Sequence, residues 1–331
     1  MQFDTFRDLM RLSHGFEMAK AFFTANDLDL FSCLGEAGEE PERLADQLKV
    51  DERALTLLLN ALTAMGLIQK EGTRYLNTSV TAENLMHGEN YRGNIFKHIH
   101  HCWDAWNDLP EVVAEGQPRG VKEEKILGGQ EDWTRTFIRG MDDVTRDLAP
   151  QVAPQVGFEG ARSLIDVGGG PGTYAAAFLD ALPSLQRVHL FDLPGALNVA
   201  RERLSTRGLI DRVELVEGDM HRDEFVSGID AVWISQVFHS QAEEGCRMLI
   251  DKSFRALNPG GKLAVHEFLL NDDKTGPLGP SLFALHMLVM TENGRAYSGE
   301  EIASWMKDCG FAGVEVRKVS DDTGVVVGQK T

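Results

Sequence analysis

The stretch Leu164-Ile165-Asp166-Val167-Gly168-Gly169-Gly170-Pro171-Gly172-Thr173 constrains the fold of this chain more than any other. An apolar run of strand type enters a glycine-rich turn, and a helical stretch begins at Tyr174. Glycines in such a place let the backbone approach a ligand closely and adopt torsions that a Cβ forbids. A dinucleotide fingerprint, G-x-G-x-x-G, requires glycine at 173 if it starts at Gly168, or at 175 if it starts at Gly170; Thr173 and Ala175 stand there instead. The pattern present is acidic-x-G-x-G-x-G, through Asp166, Gly168, Gly170 and Gly172. A pyrophosphate needs a helix N-terminus opened toward it, whereas a nucleoside without phosphates needs close packing and hydrogen bonds. Two more acids follow in order. Asp192 closes the next strand-like run with Leu193 and Pro194 after it, where a carboxylate can accept ribose hydroxyls, and Asp219 with Met220 follows the third. Singly each acid reads as a turn residue or helix cap. Together, at successive strand ends, they describe a site for a neutral or cationic adenosine ligand.

The surrounding pattern fits that site. Candidate strands Ser163–Val167, Arg187–Phe191, Val213–Val216, Asp230–Ser235 and Gly261–Glu267 alternate with amphipathic stretches starting at Tyr174, Gly195 and Glu243, which predicts a doubly wound, mostly parallel α/β sheet. Val314–Val319 and Gly324–Gly328 are joined by Ser320–Thr323, too short for a parallel crossover, so this last pair is antiparallel. At 331 residues the chain exceeds a usual single domain. Its first part is helical: Pro41–Leu48 opens on proline, Asp51 caps a helix to Met65, and Leu67–Leu76 forms a hairpin around Glu71-Gly72-Thr73. That is a winged-helix pattern, whose two readings are DNA binding and dimerisation. Residues 1–76 hold 8 basic and 13 acidic side chains, and Asp51–Leu59 supplies a single groove-reading residue, Arg53, which favours dimerisation. The whole chain carries −18, which repels nucleic-acid backbones and anionic membranes. No basic segment leads into an apolar one at the start, and the longest uncharged apolar run, Leu278–Met290, is short of the ~20 residues of a span. Cys33, Cys102, Cys246 and Cys309 are scattered, as in a reducing, cytoplasmic setting.

Asp166–Gly172, Phe191–Pro194, Gly218–Met220, Asn258–Gly261 and Cys309–Phe311 stand in the order and spacing of class I S-adenosylmethionine-dependent methyltransferases. Over its whole length, winged-helix part included, the chain resembles bacterial and plant O-methyltransferases of the caffeate and hydroxyindole type. The resemblance implies a seven-stranded sheet and S-adenosyl-L-methionine as cofactor. It places Gly168 against the methionine end, Asp192 on the ribose, and Asp219 with Met220 around the adenine. It also implies a homodimer formed through the N-terminal domain, with domains at 1–100 (dimerisation), 101–156 (a helical linker to the substrate pocket) and 157–331 (catalytic). His239, in Gln236-Val237-Phe238-His239-Ser240, falls where these enzymes place their catalytic base, and Glu267 where a carboxylate orients it. An imidazole, with an ordinary pKa near ~6.5, can take the proton of a phenol or thiol as the methyl arrives. The chain departs from the plant pattern at three places: Ser240-Gln241 stand for Asp-Trp, Ser235 for a lysine at the cofactor site, and Ala296 for a second glutamate.

For the acceptor, a small and aromatic molecule, the candidate residues are His101, Trp103, Trp106, Phe283, Met287, Met290 and Tyr297. An aromatic and Met-rich wall suits a planar substrate. The plainer reading of Phe283, Met287 and Met290, spaced by four and three, is helix core. His98, His101 and Cys102 share one helical face, but no second ligand set accompanies them, so no metal is expected. The alternatives to O-methyl transfer are S- or C-methyl transfer on the same fold and, in another class, a winged-helix regulator using the cofactor as effector.

Overall fold

A computed structural model describes residues 3–119 and 131–331. The chain divides into two compact units, one ending at His101 and the other beginning at Cys102.

In the first unit, helices Pro41–Leu48 and Glu52–Ala64 form as their sequence predicts. Asp51 Oδ1 accepts the Ala54 N–H at 2.8 Å and so satisfies one open donor of the helix start. Strands β1 (Ile68–Glu71) and β2 (Arg74–Asn77) make the hairpin, and a bridge from Glu39 to Tyr75 widens it. Leu44, Leu55, Leu59, Leu62, Ile68 and Tyr75 close one core with Leu30 and Phe31. The helices Phe6–Ser13 and Gly15–Asp27 leave a row of large apolar side chains in solvent: Phe6 is 76% exposed, Phe16 58% and Met18 57%.

The second unit is built on one sheet in the order Val213–Glu217 (β5), Arg187–Asp192 (β4), Ser163–Val167 (β3), Ile229–Ser235 (β6), Leu257–Leu270 (β7), Thr323–Lys330 (β10) and Phe311–Lys318 (β9). Its parallel members are β3 (Ser163–Val167), β4 (Arg187–Asp192), β5 (Val213–Glu217), β6 (Ile229–Ser235) and β7 (Leu257–Leu270). β9 (Phe311–Lys318) and β10 (Thr323–Lys330) pair antiparallel, and β10 also lies antiparallel on β7, with Gly324 opposite Glu267 and Val325 opposite His266. A two-residue strand, β8 (Tyr297–Ser298), attaches to the end of β7. β7 starts earlier than its sequence suggests because Leu257 pairs with Ile229 before the ladder shifts to Lys262 opposite Ala231, with Asn258–Gly261 looped out between. The chain starts at the central β3, runs outward through β4 to β5 and returns to β6 on the other side. The switch point therefore lies between β3 and β6, and ligands of such sheets bind beyond the strand ends there. One core lies on each face of the sheet, around Phe178 and Trp233 on one and Phe238, Ile250 and Met306 on the other.

Candidate active site

The glycine loop leaves β3 at the switch point. Gly168 has φ +67°, and a Cβ on it would stand 2.8 Å from Val237 Cγ2, so only glycine lets the loop pass this close to the chain that carries His239. Gly170, at φ +53°, has open space where a Cβ would point. Its N–H donates to Asp192 Oδ2 at 2.8 Å, and the Leu193 N–H donates to Asp192 Oδ1 at 2.7 Å. The carboxylate is thereby fixed at the end of β4, and each oxygen keeps further lone-pair capacity for a hydroxyl. Gly172 caps the helix Thr173–Ala181 in left-handed conformation. Thr173 at that helix start donates to Asp142, which also holds Arg203, tying the helix Glu131–Thr145 to the back of the loop.

Asp166 lies within β3 rather than beyond its end, 2% exposed, and its buried Oδ2 has no hydrogen-bond partner among the described residues. Burial, then the charge of Asp192, pushes its pKa up to about 7, and burial raises Asp192 to about 6. An orphaned buried carboxyl oxygen, a second carboxylate held by two amides and an open cradle over Gly170 fit a nucleoside bearing positive charge. The two groups titrate as a pair. Raised carboxyl values mean that the ligand-free protein loses stability as pH climbs from the ordinary carboxylate range to about 7. A ligand that requires both carboxylates ionised gains affinity as pH rises toward the same value. Calorimetry with S-adenosylmethionine, the cofactor the sequence resemblance implies, is expected to show Kd tightening from about pH 5.5 to about 7.5, by up to about tenfold per unit for each proton released, with no trend if the pair stays ionised.

Asp219 accepts the His221 N–H at 2.9 Å and lies 3.4 Å from Arg222, while its own N–H donates to Asp223. Lys252, 4% exposed, reaches this turn from the helix Glu243–Ala256: its Nζ donates to the carbonyls of Met220 and Asp223, both at 2.8 Å. Nothing in the sequence marks Lys252, whose partners lie about thirty residues upstream. Lys252→Met leaves both carbonyls unpaired, and the urea midpoint is expected to fall by the equivalent of about 1–3 kcal/mol with weaker cofactor binding. Unchanged stability and binding would show that the turn holds itself.

Ser235, at the end of β6, is turned to His266 Nδ1 at 2.9 Å, beside Tyr174. Burial drives His266 down to about 4. Phe238–Ser240 forms a single helical turn, and His239 Nδ1 stands 2.9 Å from Glu267 Oε2. Glu267 Oε1 accepts the Phe238 N–H at 2.7 Å. The buried carboxylate thus binds both the ring and the backbone that carries it.

Phe283 sets its ring edge-on to His239 at 4.8 Å, and Trp106 Nε1–H donates to His286 Nδ1 at 2.9 Å. Trp103, half-buried, opens the helix Trp103–Asn107, and His101, exposed, ends the first unit. Three of the acceptor candidates are buried. Met287 is 4% exposed, Met290 packs with Cys102, Val112 and Val289, and Tyr297, 1% exposed, donates its hydroxyl to the Gln241 carbonyl and packs on Trp305. His286, which no motif singles out, joins the site through Trp106, 180 residues away in the chain. Among the described residues no group of three or more His, Cys, Asp or Glu is placed to hold a metal ion, and no helix is long and apolar enough to cross a membrane.

A family model described as an O-methyltransferase domain matches residues 106–312, and one described as an O-methyltransferase dimerisation domain matches residues 10–86. The chain is 30% identical over 328 residues to 3-hydroxy-5-methyl-1-naphthoate 3-O-methyltransferase of Streptomyces sahachiroi, covering 97% of this chain and 94% of that one. An O-methyltransferase family protein from Burkholderia thailandensis superposes with TM-score 0.89 at 28% identity, covering 100% of this chain and 99% of the other. PigF of Serratia sp., solved with SAH, superposes with TM-score 0.90 at 26% identity, covering 98% and 100%.

Proposed function

The chain belongs to the S-adenosylmethionine-dependent O-methyltransferases, and on that premise we propose that it methylates a hydroxyl of a small aromatic molecule with His239 as general base. The observation that carries this reading is the His239–Glu267 pair. An ionised carboxylate only accepts hydrogen bonds, so it keeps the imidazole proton on Nδ1 and leaves the lone pair on Nε2. The bound cofactor supplies an electrophilic methyl group on its sulfonium. His239 then holds the acceptor hydroxyl at Nε2 and takes its proton as the oxygen is alkylated. Glu267 stabilises the imidazolium, and Asp166, Asp192, Asp219 and Met220 hold the nucleoside at the strand ends, beside Gly168, Gly170 and Gly172. The aromatic edge of Phe283 and the indole of Trp106 favour a flat acceptor.

The protein is a homodimer in this reading. The exposed row Phe6, Leu9, Met10, Leu12, Phe16 and Met18 supports it, since a monomer rarely leaves so many large apolar side chains together in water. Cys33, Cys246 and Cys309 stand as free thiols, which accords with a reducing, cytoplasmic setting.

Mass spectrometry with isotope-labelled cofactor tests the function against a panel of phenols, thiols and carboxylic acids. Label on a phenolic oxygen is the expected result. Label on sulfur or carbon alone would replace this reading with the other acceptor class.

A further inference from the structure

The helix Leu278–Met290 brings Phe283 and His286, three residues apart, to one face, and the Phe283 ring lies 4.8 Å from His239 and 5.9 Å from His286. Two imidazoles thus flank one phenyl ring, and their protons are set oppositely. Glu267 keeps the proton of His239 on Nδ1. Trp106 does the reverse to His286: an indole N–H only donates, so His286 Nδ1, at 2.9 Å, must carry a lone pair and the ring hydrogen must sit on Nε2. The two rings lie 16° from parallel, with centroids 6.0 Å apart. Burial, then the charge His239 carries when protonated, pushes His286 down to about 4, so it is neutral near pH 7. The side chain is half-buried rather than sealed in the core.

We infer that His286 is a specificity-determining residue whose Nε2–H donates to an oxygen of the methyl acceptor other than the one methylated, so that the acceptor class is an aromatic hydroxyl compound bearing a carbonyl or carboxylate oxygen. The inference rests on the proposed O-methyl transfer at His239. A molecule lying along Phe283 meets a nitrogen that accepts a proton at one end and a nitrogen that donates one at the other. A hydroxyl satisfies the first and a carbonyl-type oxygen the second. An acceptor without that oxygen leaves the Nε2–H unpaired as the site closes over it, the situation in which a polar pocket discriminates strongly.

The test uses two hydroxynaphthalenes that differ only in an acetyl or an ethyl group at the end of the ring system remote from the hydroxyl. Wild type is expected to prefer the acetyl compound by about tenfold or more in kcat/KM. His286→Phe should bring the ratio to within about threefold, whereas His286→Gln, whose amide keeps a donor, should retain most of it. Comparing ratios cancels the difference in hydroxyl acidity between the probes. An equal ratio in wild type and His286→Phe would overturn the inference and leave His286 an anchor for Trp106. Nitrogen-15 NMR of the wild-type protein decides independently of any variant's folding or of turnover. An Nε2–H tautomer at pH 7, whose resonance moves with the acetyl probe and not the ethyl one, supports the inference; an Nδ1–H tautomer or an imidazolium overturns it. If neither probe gains an O-methyl group while the resonance still responds to the acetyl one, O-methyl transfer to such acceptors fails and the recognition stands.

Discussion

His239→Ala is expected to lower kcat for methyl transfer by about 10²–10⁴ while S-adenosylhomocysteine binds as before, because the side chain acts on the acceptor proton and not on the nucleoside. Glu267→Gln sharpens the test. In the wild type Glu267 Oε1 accepts the Phe238 N–H and Oε2 faces His239 Nδ1. A glutamine that keeps the first bond turns its NH2 toward the ring, so Nδ1 must now accept and the proton moves to Nε2, where the base is needed. The geometry survives and the tautomer is wrong. A loss as large as that of His239→Ala is therefore expected, although glutamine differs from glutamate by one group. Acceptors of lower pKa should lose less in both variants, since they arrive already ionised. Rate measurements across phenols of graded acidity check this, and a kcat within about threefold of wild type in His239→Ala would remove the histidine from the chemistry.

Asp192→Ala is expected to weaken S-adenosylhomocysteine binding by roughly 10²-fold or more. Two hydroxyl donors on an ionised carboxylate contribute about 1.5–3 kcal/mol each, and about 1.4 kcal/mol is a factor of ten in Kd. A further loss comes from the loop, since the N–H groups of Gly170 and Leu193 both lose their acceptor and the cradle is no longer set in advance. Asp192→Asn keeps one acceptor oxygen and no charge, so it separates the two effects: it should restore part of the loop and little of the charge-assisted bonding to the ribose hydroxyls. Isothermal titration calorimetry at about pH 7.5, with circular dichroism to establish folding, measures both. Binding in Asp192→Ala within about threefold of wild type would place the ribose elsewhere.

What was legible in the sequence is what neighbours along the chain decide. The glycine loop, the capped helix after Asp51 and the strand Ser163–Val167 follow from local sterics and periodicity, and they stand where those rules put them. The order of the acids was legible as well, because in a doubly wound sheet successive strand ends come to one edge. Less legible were features set by packing over distance. The surroundings of Met290 and Tyr297 come from Cys102 and Val112 and from the carbonyl of Gln241, all distant in the chain. His286 gains its significance from Trp106, and Lys252 from two carbonyls, partners that no spacing rule connects. The insertion of β10 between β7 and β9 was equally invisible, since an antiparallel pair at the end of a sequence does not say which of its strands lies inside.

That insertion bears on when the site comes into being. Glu267 sits on β7, and the strand that flanks it there is β10, with Gly324 directly opposite. During synthesis the glycine loop and its acids can meet early, among strands that emerge within about sixty residues of one another, whereas β7 stays an open edge until residues beyond 320 have left the ribosome. The strands of the nucleoside half are therefore complete in the growing chain before the strand that flanks Glu267 is made.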